Sequence, residues 1–283
     1  RIYPQACPAH LRYYVTRICT DLGSLNNDQG SSLATNHIIM VENMLIKFCS
    51  IPDSEIWKKT VDFILKHMHL AYVIEVQKQN QKSAQQIHLS HFPINANEND
   101  PSFSSSAVFT SSLDNIIKLC FDSQKVSNNE FDMNPLDIVL SSLLAAIDTQ
   151  RAAISYKTLS SLLNASNSST KQIKFSNEQM IMIISSITAV ASRNIAEPSL
   201  CSLALDILKL PSSQISETDS ELLTKYIVNS SISMNNSHYL LQVVSVNKEF
   251  FINIFNLITE SLFDEGEIAL LPSLVHVIHL FLL

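Results

Sequence analysis

Apolar residues recur at helical spacing along most of the chain, and short polar stretches interrupt them. The densest apolar stretch is Asn177 to Leu210. There Met180, Ile184, Ile187 and Ala191 share one face, and Ile181, Ile183 and Val190 widen it. A helix apolar nearly all round is expected to lie between neighbours rather than on a surface. The Glu197-Pro198 step divides the stretch, predicting two helices back to back at the middle of a stack of helix pairs.

The same reading extends to both sides. Pro8–Leu22 predicts a helix with Leu11, Val15, Ile18 and Leu22 on one face and Gly23 as its C-terminal cap. A second helix is expected over 32–50, with Ile38, Val41, Leu45 and Phe48 inward. Asp53 or Ser54 caps a third that runs to about Gln77, with Trp57, Val61, Ile64, Met68 and Tyr72 on its core face. Periodicity then gives way to Gln, Asn and Ser from Lys78 to Ser106, with Pro93 and Pro101, which predicts a loop or insertion and an internal boundary. Further helices follow at Ala107–Phe121, Pro135–Ile147, Arg151–Leu163, Asn177–Arg193 and Pro198–Leu210. The series continues with Glu217–Asn229, Ser237–Val246, Lys248–Phe263 and Glu267 to the end; Phe251, Phe255, Ile258 and Leu262 form one stripe.

Helices that open a pair begin near 135, 177 and 217, intervals of 42 and 40 residues. Two-helix repeats of about 40–47 residues stack because no pair buries its apolar face alone. SNEQMIMIISSITAVASRN with EPSLCSLALDILKLP resembles a degenerate HEAT-type helix pair, and SETDSELLTKYIVNSS with NSHYLLQVV resembles the next. The likeness to HEAT and armadillo proteins covers residues 107–283 and implies an all-α fold of stacked antiparallel helix pairs, an α-solenoid. The Ser/Asn-rich, Gly-poor style is similar to fungal nuclear helical scaffolds, including those of early ribosome assembly. The expected organisation is a helical segment at 1–77, a polar low-complexity insertion at 78–106 and a repeat segment at 107–283.

Composition narrows the function. The 283 residues hold three glycines, Gly23, Gly30 and Gly266, against about 7% in an average protein. Nucleotide-binding loops need glycines at fixed spacing so that backbone can approach phosphate. No G-x-G-x-x-G, G-x-x-x-x-G-K or G-x-S-x-G can be written here, and Asn-Gly hairpins are missing too. Charged residues are 16% and apolar ones 46%. So little charge leaves part of the surface to be covered by other protein. A formal charge of −7 with no large Lys/Arg cluster argues against extensive nucleic-acid binding, which draws its affinity from counterion release. Five scattered cysteines, Cys7, Cys19, Cys49, Cys120 and Cys201, read as reduced buried thiols. An opening Arg1 and a closing apolar run, LLPSLVHVIHLFLL, read as the ends of a fragment of a longer chain; that run is too short to span a bilayer, and no signal peptide is visible.

Candidate chemistry is sparse. His67 and His69 stand two apart on a helix, project to nearly opposite faces and cannot share a metal. His276 and His279 share a face but need further ligands from elsewhere, and His88 and His91 lie in the polar insertion without a cysteine pair. No C-x-x-C or H-E-x-x-H occurs. Asp264, Glu265 and Glu267 around Gly266 read as a solvated helix junction. The glycosylation matches at Asn164, Asn167, Asn229 and Asn235 read as chance in so Asn- and Ser-rich a chain. Trp57 reads as core, with an interface anchor as the other option.

The sequence therefore nominates no catalytic, cofactor-binding or metal-ligating residue. It points to a non-enzymatic scaffold that binds other protein subunits of an intracellular assembly, nuclear or cytoplasmic with the nucleus favoured, away from membranes. The rival readings are a helical regulatory or enzyme-associated subunit with a small-molecule pocket, and a solenoid touching nucleic acid through a small basic patch at Lys171, Lys174 and Arg193.

Overall fold

Local signals place the helices. In the computed structural model, which describes residues 8–24, 35–51, 53–88, 105–123, 134–167, 173–234 and 237–246 together with Phe255, Asn256 and Thr259, every regular element is an α-helix. They are α1 (Pro8–Ser24), α2 (Thr35–Phe48), α3 (Ser54–His88), α4 (Ser105–Ser123), α5 (Pro135–Ala145), α6 (Ala152–Asn167), α7 (Asn177–Ala191), α8 (Pro198–Leu208), α9 (Glu217–Ser233) and α10 (Ser237–Val246). The all-α expectation is met.

Side chains at the helix starts supply the N-caps, and of these Asp53 is the one expected from the sequence. Asp53 opens α3, its Oδ1 accepting from the amides of Glu55 and Ile56 at 3.1 Å each. Asn134 accepts from the Leu136 amide ahead of α5, with Pro135 in the first turn where its missing N–H costs nothing. A capping box joins Ser176 and Gln179 at α7. Glu197 caps α8 with Pro198 in its first turn, and Asn194 takes the left-handed φ of 52° that ends the α7 turn. Gly23 is not a cap, because α1 runs through it to Ser24.

Two compact units divide the chain, 1–154 and 155–283. In the first, α3 packs against α1, α2, α4 and α5, and α4 also contacts α2 and α5. The core-face residues Trp57, Val61, Ile64 and Met68 are buried, along with Leu45, Ile116, Leu119, Leu140 and Leu143; Tyr72 is half-buried. Each such aliphatic side chain contributes about 1.5–3 kcal/mol through burial. Trp57 is core: its indole N–H donates to the Cys49 carbonyl at 2.9 Å.

Two expectations change here. The third helix continues past Gln77 to His88, since QKQNQKSAQQIH holds good helix formers and no glycine or proline. The polar segment does not separate two folding units either, because α4 beyond it packs on α2 and α3 before it. Contacts made across the chain outweigh the local composition. Residues 89–104 lie outside the described set.

In the second unit α9 packs on α7, α8 and α10, and α10 also touches α8. Met180, Ile183, Ile184, Ile187 and Ala191 are buried on α7, but Ile181 is 64% exposed, so α7 has an outward side. The Tyr226 hydroxyl donates to the Ile195 carbonyl at 3.0 Å and accepts from the Glu197 amide at 3.2 Å, fixing the α7–α8 turn to α9. The helix pair that opens at residue 135 is divided, since α5 belongs to the first unit and almost all of α6 to the second. Of Lys248–Phe263 only Phe255, Asn256 and Thr259 are described, and all three are helical. The helix expected from Glu267 lies outside the described residues.

Candidate functional site

The polar side of α3 builds one wall of a cleft in the first unit. Asp62, Lys66, His69, Leu70 and Val73 follow at helical intervals and line it, away from the core stripe through Trp57 and Ile64. The opposite wall is the end of α5 and the turn into α6: Ser142, Ala145, Ala146, Thr149, Gln150 and Arg151. Together they enclose about 620 Å³, within the range of small-molecule sites. Thr149 fixes the turn, its hydroxyl donating to the Ala146 carbonyl at 2.7 Å and accepting from the Arg151 amide at 3.1 Å.

The cleft perturbs its own ionisable groups. Asp62 keeps solvent access, yet the walls remove enough water from its carboxyl to raise the pKa; Lys58, Arg151 and a hydrogen bond from Ser142 work against that rise, and Glu55 adds to it. Burial lowers the His69 pKa, and the Arg151 charge lowers it further. His69 Nδ1 is buried without a hydrogen-bond partner.

His67 and His69 part company as their spacing requires. His67 is buried in the core, its Nδ1–H donating to the Phe63 carbonyl at 2.9 Å, while His69 faces the cleft. Lys174 and Arg193 are exposed, and Asn164 Nδ2 donates to Asp206 at 3.1 Å. His91, His276, His279, Asp264, Glu265, Gly266, Glu267, Asn235, Lys171 and Cys7, with the side chains of His88 and Asn167, lie outside what is described. Among the described residues no group of three His, Cys, Asp or Glu side chains could hold a metal ion, and no helix is long and apolar enough to cross a membrane.

Two buried carboxylates escaped the sequence reading. Glu42, fully buried on α2, accepts from Ser112 Oγ at 2.7 Å and Asn115 Nδ2 at 3.0 Å, both on α4. Burial raises its pKa to about 7, and the two hydrogen bonds offset only part of the rise. The signal was present: Glu42 lies four residues after Ile38 and three before Leu45, on the buried face. Asp206 on α8 gathers Ser160 and Asn164 of α6 and Lys209, whose ammonium sits 2.9 Å away. Partners 42 to 73 positions away cannot be read from spacing.

Comparison with protein-family models, with characterised proteins and with solved structures finds no match to this chain.

Proposed function

We propose that the chain is a non-catalytic helical scaffold, of HEAT-like design, that holds other protein subunits within an intracellular assembly. The observation that carries this reading is the packing of the second unit, in which α9 meets α7, α8 and α10 and α10 reaches back to α8. Neighbour-on-neighbour packing of this kind is how stacked helix pairs share a core while leaving ridges for partners. Support comes from large apolar side chains standing in solvent, Met40 and Met44 on α2 and Ile181 on α7 among them. The Ser/Asn-rich style favours a nuclear assembly such as those of ribosome maturation.

Affinity purification of the tagged chain, with and without nuclease, tests the proposal. Protein partners in fixed stoichiometry that survive nuclease are the expected result. Partners lost on nuclease treatment, or none at all, would overturn it.

A further inference from the structure

The charged groups of the cleft between α3 and the α5–α6 turn are already spent inside the fold. Asp62 accepts a hydrogen bond from Ser142 and lies within the fields of Lys58 and Arg151, and Lys66 is not free. A charged ligand would have to draw one of these groups away from its partner and set its own pairing against what it breaks. Thr149 is engaged as well, its hydroxyl both donating and accepting within the turn, and Gln150 is exposed to water. Two features of the lining are left for a ligand. One is the apolar wall of Leu70, Val73, Ala145 and Ala146, where the two alanines leave open the space that larger side chains would fill. The other is His69: its Nδ1 is buried without a hydrogen-bond partner, and burial together with the Arg151 charge holds the ring neutral. A buried ring nitrogen without a partner forfeits the hydrogen bond that water gave it in the unfolded chain, and a ligand that supplies one restores it.

We infer that this cleft binds a small uncharged molecule that carries a hydroxyl on an apolar body, a phenol being the simplest case. The body lies against Leu70, Val73 and the alanines and gives up its hydration there. A turn of the His69 ring about its Cβ–Cγ bond brings Nδ1 round to the hydroxyl. The hydroxyl serves either tautomer of the neutral ring, since it both donates and accepts. Binding here is independent of the scaffold reading, whose exposed apolar side chains lie on α2 and α7.

The test is a titration of the whole chain with phenol at pH 8, read by ligand saturation-transfer NMR and by the His69 ring resonances, identified by their loss in His69→Phe. Toluene is the control without a hydroxyl, and benzoate and benzylamine are the charged controls. Saturable binding of phenol with a Kd of ~5 mM is expected, with both charged controls weaker. His69→Phe keeps a ring but removes the nitrogens, and should lower the ratio of phenol to toluene affinity about fivefold. Ala145→Leu, at an exposed position, fills the cleft and should weaken phenol and toluene alike, each about tenfold. Circular dichroism checks that each variant keeps its helices, and either variant alone decides the question. The inference is overturned by the absence of saturation up to ~20 mM phenol, by benzoate or benzylamine binding as tightly as phenol, by an unchanged phenol-to-toluene ratio in His69→Phe, or by undiminished binding in Ala145→Leu.

Discussion

Replacing Glu42 with glutamine should stabilise the first unit at pH 8 and leave it nearly unchanged near pH 4.5. The carboxyl is fully buried between α2 and α4 with two neutral donors, Ser112 and Asn115. Its pKa rises from 4.5 to about 7, mainly because burial opposes the charged form. Between those values the folded chain keeps a proton that the unfolded chain has released. Unfolding free energy therefore falls as pH rises through the window and levels off above it. A gap of about 2.5 units, at about 1.4 kcal/mol each, amounts to about 3 kcal/mol at pH 8. Glutamine keeps the shape without the charge: its oxygen still accepts from Ser112, and a flip of the Asn115 amide offers an oxygen to the new NH₂. Trp57, the single tryptophan, is buried in the same unit, so its fluorescence reports urea unfolding of that unit from pH 4.5 to 8.5. The expected difference between variant and wild type grows from near zero to about 3 kcal/mol over that range. A flat difference, or a variant weaker at pH 8 than at pH 5, would mean that Glu42 is ionised in the fold and would refute the reasoning.

Three further outcomes follow from the same geometry. Asp53→Ala removes the cap of α3 and the partner of Arg12, whose Nε lies 2.6 Å away, and should cost about 1 kcal/mol in the same Trp57 assay; an unchanged midpoint would show that the cap contributes nothing. Tyr226→Phe loses both hydrogen bonds to the α7–α8 turn and should destabilise the second unit by about 1–2 kcal/mol. Faster amide exchange at Glu197 is its specific sign, and unchanged exchange would count against a pinned turn. Burial raises the thiols of Cys49 and Cys120 to about 12 each, so both should resist iodoacetamide at pH 8 while the urea-unfolded chain labels readily; native labelling of Cys120 at the unfolded rate would contradict its placement.

Helix type and most helix boundaries were legible in the sequence because their causes are local. Scarce glycine, i to i+4 apolar spacing, the Asp53 cap and the Glu197-Pro198 break act within a turn or two of backbone. The core face of α3 and the fate of Trp57 followed from the same periodicity. What the helices meet did not follow. Long-range packing joined α4 to α2 and α3 across a polar segment, put the division between units at 154, turned Ile181 outward and gave Glu42 its donors 70 and 73 residues away. The cleft has the same origin: Asp62, Lys66 and His69 look like ordinary solvated positions until the end of α5 closes over them. Periodicity specifies which side of a helix is apolar, whereas the partner that covers it is selected by the shape of surfaces brought together only by folding.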